Sequence, residues 1–322
     1  MEREKVKMIG FDIGGTKCSI STGNIKDGKL IIENKKIIVM DTTVSPYEMI
    51  DKMCLVAEEF TSDFSKIGIS CGGPLDSKTG IIMSPPNLPG WNDVHICDYI
   101  KNKYGGKVTI QNDANACAVA EWKYGAGKNC NNMIFLTFGT GLGAGLILDG
   151  KLYTGTNDMA GEVGHIRLSD YGPVGYGKTG SFEGFCSGGG IAELGKIYAL
   201  EKLQRGVQTA FCKTKSELMS INAKLIAECA VLGDETAIKV YDTCARMLGR
   251  GLSIIIDILN PEKIVIGSVF ARSENLLRNK MEEVIKEEAL CRSNCVCSIV
   301  PAELGDSIGD YAALAVAENL FN

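Results

Sequence analysis

Apolar residues in the first forty positions fall into three runs, Val6–Ile13, Lys17–Ile25 and Leu30–Met40, each bounded by a short polar turn. Gly14-Gly15-Thr16 would join the first two as a β-hairpin, and Lys26-Asp27-Gly28-Lys29 the second and third. The period then changes. Met49, Ile50, Met53, Leu55, Val56 and Phe60 predict a helix over Pro46–Phe60, with Ser45 as its cap and Pro46 in its first turn. A short strand at Ile67–Ser70 completes a βββαβ unit, which mixes antiparallel and parallel pairing.

The opening pattern recurs further on. After a strand at Lys107–Gln111 and a helix at Ala114–Tyr124, Met133–Phe138, the turn Gly139-Thr140-Gly141-Leu142-Gly143 and Ala144–Leu148 form a second strand–turn–strand. Two such halves facing each other would set both turns against one ligand. Helices are expected at Ile191–Leu203, Ser216–Ala230 and Glu235–Leu259, the last ending before Pro261. The strand Ile264–Ile266 runs into Gly267-Ser268, the geometry at which open α/β sheets bind nucleotides. A helix at Leu276–Ala289, a strand at Val296–Val300 and a helix at Ser307–Leu320 complete the expected elements.

Composition narrows the function. With 322 residues, two domains sharing a cleft are the default. A net charge of -5 without a dense Lys/Arg patch argues against nucleic-acid binding, so a phosphate ligand would be held by local N–H groups and a metal. The start Met-Glu-Arg-Glu-Lys lacks the apolar stretch of a secretory leader. The longest uncharged run, Asn129–Leu148, is broken by four glycines and reads as a buried hairpin rather than a membrane span. Thirteen scattered cysteines suit reduced thiols in a cytoplasmic protein. Cys291, Cys295 and Cys297 lie close together without a neighbouring His, and no metal is expected there. His95 is expected in a loop or at a helix start.

The candidate chemistry begins at the first turn. Gly14 and Gly15 let backbone N–H groups approach a ligand, Asp12 suits a hydrated divalent cation, and Thr16 and Lys17 suit phosphate oxygens; a plain structural hairpin would read the same way. Gly72–Trp91, rich in Gly and Pro, is expected to be an ordered loop serving a site. Asn112-Asp113-Ala114-Asn115 places a carboxylate where a strand hands over to a helix, either as an N-cap or as a base that takes a proton from a bound hydroxyl. Glu162, His165 and Glu183 supply acceptors and a donor suited to a sugar's rim, although singly His165 would be a satisfied structural His and the two Glu solvated side chains.

Taken together, these motifs resemble the ROK (repressor, open reading frame, kinase) family of sugar kinases within the actin-like ATPase superfamily. The resemblance rests on Asp12-Ile-Gly-Gly-Thr-Lys17, Gly72-Gly73-Pro74, Asn87-Leu-Pro-Gly-Trp91, Asn112-Asp-Ala-Asn115, Gly139-Thr-Gly-Leu-Gly143, Gly161-Glu-Val-Gly-His165, Glu183 with Ser187-Gly188, and Asn260-Pro-Glu262. It implies an α/β fold of two RNase H-like domains around a central cleft, with mixed sheets flanked by helices. Residues 1–115 plus 307–322 would form the smaller domain and 116–306 the larger, the C-terminal helix packing back on the first. Asp113 would be the catalytic base of an ATP-dependent hexose kinase acting at the 6-hydroxyl. Gly73, Asn87, Asn112, Asp113, Glu162, His165 and Glu183 would hold the sugar. Asp12, Gly14, Gly15, Thr16 and Lys17 would serve the first phosphate loop, with Mg²⁺ reached from Asp12 through water. Thr140, Gly141 and Gly143 would serve the second, and Gly267 the adenosine site, where Ser268 replaces the family's second Gly. A homodimer is also implied.

One departure stands out. The family commonly holds a structural zinc with its His and three Cys, but those Cys positions here carry Val174, Tyr176 and Ser181. No zinc is expected, and Gly175–Gly180 with Tyr176 would pack the loop instead. An N-acetylhexosamine kinase, a fructokinase and a sugar-sensing regulator without a DNA-binding segment remain alternatives. The regulators carry a helix-turn-helix ahead of the first phosphate hairpin, where this sequence has too few residues for one.

Overall fold

The computed structural model describes residues 7–318, so the expected strand start at Val6 and helix end at Leu320 lie outside the described residues. The first sheet contains β1 (Met8–Ile13), β2 (Lys17–Lys26), β3 (Lys29–Val39), β4 (Lys66–Cys71) and β5 (Lys107–Asn112), in the order β3-β2-β1-β4-β5. The hairpin pairs run antiparallel, while β1, β4 and β5 run parallel. Asp27 and Gly28 both adopt positive φ at the β2–β3 turn, as a tight two-residue hairpin requires.

Helix α1 (Pro46–Glu58) starts as its sequence specifies. Ser45 accepts the Glu48 N–H, and Glu48 reaches back to the Ser45 N–H. His95 stands at the N-cap of helix α2 (Ile96–Tyr104), a helix start being one of its two expected places, but the helix body carries no periodic signal: its nine residues bury only Ile96, Cys97 and Ile100. That is too short an apolar stripe to read as periodic. Helix α3 (Asp113–Tyr124) follows β5 directly.

The second sheet repeats the plan. It contains β6 (Met133–Phe138), β7 (Leu142–Leu148), β8 (Lys151–Tyr153), β9 (Lys263–Ile266) and β10 (Ser298–Pro301), in the order β8-β7-β6-β9-β10. The same hairpin-then-parallel order in both sheets accounts for the internal echo of two glycine turns. Its longer helices are α4 (Gly188–Gln204), α5 (Ala223–Val231), α6 (Glu235–Leu259) and α7 (Val269–Glu288), and α8 (Ile308–Glu318) ends the described chain.

Two of these correct the sequence expectation. Ser216–Ala230 is not one helix: Lys215–Ser220 forms a 3-10 turn, and Asn222 caps the separate α5 by accepting the Leu225 N–H. Helix α7 begins seven residues before Leu276, with a non-helical Ser273 inside its first turns. Its polar Arg272-Ser273-Glu274 start hid it from a periodicity reading.

The chain divides into two compact units. One takes the chain up to Phe135, Gly145–Ala160 and the chain from Glu303; the other takes Leu136–Ala144 and Gly161–Ala302. In the first unit, strand alternation sorts β1 into two faces. Ile9, Phe11 and Ile13 enter an apolar core with Met49, Ile50 and Met53 of α1. Gly10 and Asp12 face α8. A Cβ on Gly68 would stand 2.1 Å from the Ala313 carbonyl oxygen, so α8 lies directly on the sheet through glycine-lined contacts. Among the described residues no helix is long and apolar enough to cross a membrane.

Candidate active site

In the first unit, the Gly14–Thr16 turn is closed by the Gly14 N–H donating to Lys17 O at 3.1 Å and the Met40 N–H donating to Thr16 O at 3.0 Å. Thr16 and Lys17 are exposed at its tip. A Cβ on Gly15 would come 2.2 Å from the Asn87 carbonyl oxygen, so the turn packs against the backbone of Asn87. The Gly72–Trp91 loop that carries Asn87 is ordered. Leu88 and Trp91 are buried in the core, and Ser84 N–H donates to Trp91 O at 2.9 Å. The Asn87 amide lies 3.4 Å from where a Gly72 Cβ would be, and Asn112 Nδ2 lies 3.2 Å from where a Gly73 Cβ would be. Gly15, Gly73, Asn87 and Asn112 are thus brought together, with Asp113 next in the chain.

Asn112 is the N-cap of α3, its Oδ1 accepting the Ala114 N–H at 3.0 Å. Asp113 Oδ1 also accepts that N–H, at 2.8 Å. Gln111 Oε1 accepts the Asn112 N–H at 2.8 Å, fixing the strand-to-helix corner from behind. Asp113 is exposed to solvent yet densely walled by protein. That enclosure raises its carboxyl above the usual value, while the Ala114 N–H opposes the rise. The result suits a base more than an inert cap.

Asp12 lies on a buried polar row across the sheet, paired in register with Ser19 and Ser70, and Ser70 in turn with Gln111. Burial, Asp113 and Asp310 together push its carboxyl up to about 6. The Lys17 ammonium and the Ser70 hydroxyl, which is buried with no partner at hydrogen-bond distance, pull the other way. Asp310 accepts a 2.6 Å hydrogen bond from Ser19 and pairs with Lys35. Asp310 and Ser70 escaped the sequence reading because their contacts with Asp12 depend on register and on a helix almost 300 residues away. Among the described residues no group of three or more His, Cys, Asp or Glu is placed to hold a metal. One carboxylate carrying uncompensated negative charge nevertheless fits a Mg²⁺ that keeps most of its water.

In the second unit, the Gly139–Gly141 turn is closed by the Gly139 N–H donating to Gly141 O at 3.1 Å. The Leu142 N–H donates to Glu183 Oε2 at 3.0 Å, and the Gly143 N–H to Thr137 Oγ1 at 2.9 Å. A Cβ on Gly141 would fall 2.7 Å from that Glu183 oxygen, so Glu183 sits against the turn itself. Gly161 and Gly164 let the Glu162–His165 segment lie on β7: their Cβ atoms would meet Ala144 O and Leu142 O at 2.0 Å. Glu162 and His165 are exposed there. Gly267 is buried, its N–H donating to Leu136 O at 3.0 Å. Thr137 was missed because a strand threonine carries no signal of its own.

The zinc positions do not form a zinc site. Val174 is a hydrocarbon and exposed, Tyr176 is exposed at a turn, and the Ser181 hydroxyl is buried and already engaged. Such a set lacks the thiolates zinc needs. Cys291 and Cys295 are exposed and Cys297 half-buried.

The sequence and the fold are similar to those of known proteins. The model of the ROK family matches residues 8–319. The glucokinase of Halalkalibacterium halodurans is 31% identical, over 94% of this chain and 92% of its own. The xylose repressor of Caldicellulosiruptor bescii is 29% identical, over 88% of this chain and 70% of its own. The crystal structure of a ROK family glucokinase from Streptomyces griseus, in complex with glucose and AMPPNP, is similar with a TM-score of 0.77 and 26% identity, covering 97% of this chain and 99% of that one. The mixed sheets flanked by helices are those of the actin-like ATPase fold.

Proposed function

Because the chain belongs to the ROK family, we propose that it is an ATP-dependent hexose kinase that transfers the γ-phosphoryl group to the sugar's 6-hydroxyl. The observation that carries the reading is the packing of Gly15, in the phosphate turn, against Asn87, beside Asn112 and Asp113. It brings a glycine turn next to two amides and a carboxylate, which supports a reading as phosphate turn, hydroxyl-orienting groups and base.

In this reading Asn87 and Asn112 orient the sugar, and Asp113 takes the proton of its hydroxyl as the oxygen attacks the γ-phosphorus in line. The breaking bond leaves ADP. Thr16, Lys17 and the Gly15 N–H receive phosphate oxygens, while Gly14, its N–H engaged with Lys17 O, shapes the first turn; Thr140 and Gly141 serve phosphate at the second turn. Gly143, its N–H engaged with Thr137, shapes that turn rather than donating. Mg²⁺, located through Asp12, would neutralise phosphate charge when bound. Glu162, His165 and Glu183 complete the sugar's hydrogen bonds, and Gly267 borders the adenosine.

Likeness to a glucokinase favours glucose, while the likeness to a xylose repressor supports a second reading, a sugar sensor. ADP release with Mg-ATP over glucose, fructose, mannose, N-acetylglucosamine and N-acetylmannosamine separates these. Turnover of glucose is expected. Turnover only of an acetylated sugar would redirect the substrate, and sugar binding without any turnover would establish the sensor.

A further inference from the structure

The segment between His165 and Glu183 departs from the family at all three thiol positions, yet it is well built. Val174–Gly175 and Lys178–Thr179 pair as a small antiparallel ladder, turned through Tyr176 and Gly177 at positive φ. The Tyr176 ring stands edge-on to His165, with centroids 6.3 Å apart. Two side chains join this hairpin to the residues assigned to the sugar. Lys178 Nζ donates to the His165 carbonyl oxygen at 2.8 Å. Ser181 Oγ accepts the Gly184 N–H at 3.1 Å and donates to Gly175 O at 3.3 Å, so one hydroxyl caps the short helix Phe182–Phe185 carrying Glu183 and ties it to the hairpin.

We propose that Lys178 and Ser181 are positioning residues that hold His165 and Glu183 in place through a metal-free hairpin. Lys178 fixes the backbone of the first ligand, and Ser181 fixes the helix of the second. A buried hydroxyl with both its donor and an acceptor position used replaces a thiolate that would have needed a cation. Arg167 closes the base of the hairpin, its Nη1 donating to Thr179 O at 2.9 Å. The ligand role of His165 and Glu183 rests on the kinase reading; the metal-free lock does not.

Two experiments keep these apart. Zinc content and melting temperature with and without a chelator test the lock in the intact protein. Zinc far below one per chain and an unchanged melting temperature are expected; stoichiometric zinc, or destabilisation by the chelator, would overturn it. Lys178→Met then tests positioning. The KM for sugar should rise about fivefold, with the KM for ATP nearly unchanged, as loss of a charged hydrogen bond to one ligand segment predicts. Amide exchange over residues 163–168 should quicken, and Lys178→Arg should restore both. An unchanged sugar KM with unchanged exchange would refute the positioning role. If the wild type turns over no sugar, the kinase reading fails, while zinc content and exchange still decide the lock.

Discussion

Gly309 leaves empty the space that the Asp12 carboxylate fills: a Cβ on Gly309 would stand 2.3 Å from Asp12 Oδ2. The first turn of α8 thereby reaches the strand end that carries the candidate cation ligand. Its neighbour Asp310 adds a second carboxylate, locked by Ser19 and Lys35. Gly309→Ala should force the Asp12 side chain aside. Crowding of this kind costs about 1–3 kcal/mol of stability. Displacement of a positioned group should lower kcat/KM for Mg-ATP about tenfold or more. Steady-state kinetics with a melting curve checks both; wild-type kinetics would mean that Asp12 has room to spare.

Asp12 also gives a pH signature. Its carboxyl ionises at 3.8 when unfolded and at about 6 when folded, so the folded protein holds that proton more tightly. The associated stability is fully present below pH 3.8 and lost as pH rises to about 6. Two pKa units correspond to about 3 kcal/mol of destabilisation above that window in the metal-free protein. Asp12→Asn should therefore stabilise the metal-free chain at pH 8 by up to that amount, with the gain fading toward pH 4. Turnover should fall sharply at every pH. Denaturant titrations at pH 4, 6 and 8 supply the test, and a gain independent of pH would contradict this origin.

Glu121 of α3 is fully buried and has a structural task. Its carboxylate accepts the N–H groups of Ala126 at 2.8 Å, Leu304 at 2.9 Å and Glu303 at 3.3 Å. It pins the approach to α8, and so the placement of Gly309 and Asp310. Glu121→Leu strands those donors and should cost about 2–4 kcal/mol, with Glu121→Gln costing less because an acceptor oxygen remains. Urea unfolding of both variants checks the order; equal losses would point to packing instead.

Much of this arrangement was legible because local rules agreed with the fold. The β1–β2 hairpin followed from alternation broken by Gly14-Gly15. Helix α6 runs from Glu235 to Leu259 as expected, since Asp234 caps it and Asn260 turns left-handed before Pro261. What escaped was non-local or locally silent. Helix α5 starts late because a side chain, Asn222, captured the backbone inside an apolar run. Gly309, Asp310 and Ser70 carry no motif; the α8–sheet contact brings the first two to Asp12, and the β1–β4 register brings Ser70. The contact of Glu183 with Leu142 also had to await the structure, because it joins two turns whose spacing along the chain is arbitrary.

The base assignment is the centre of the account, and Asp113→Asn tests it most directly. The variant keeps the shape and the side-chain acceptor for the Ala114 N–H but cannot take a proton at neutral pH. With Mg-ATP and the preferred sugar, kcat should drop by a factor of about 10² to 10⁴. The melting temperature and the sugar Kd from calorimetry should stay close to wild type. A kcat within a few-fold of wild type would contradict the role of Asp113 and, with it, this mechanism.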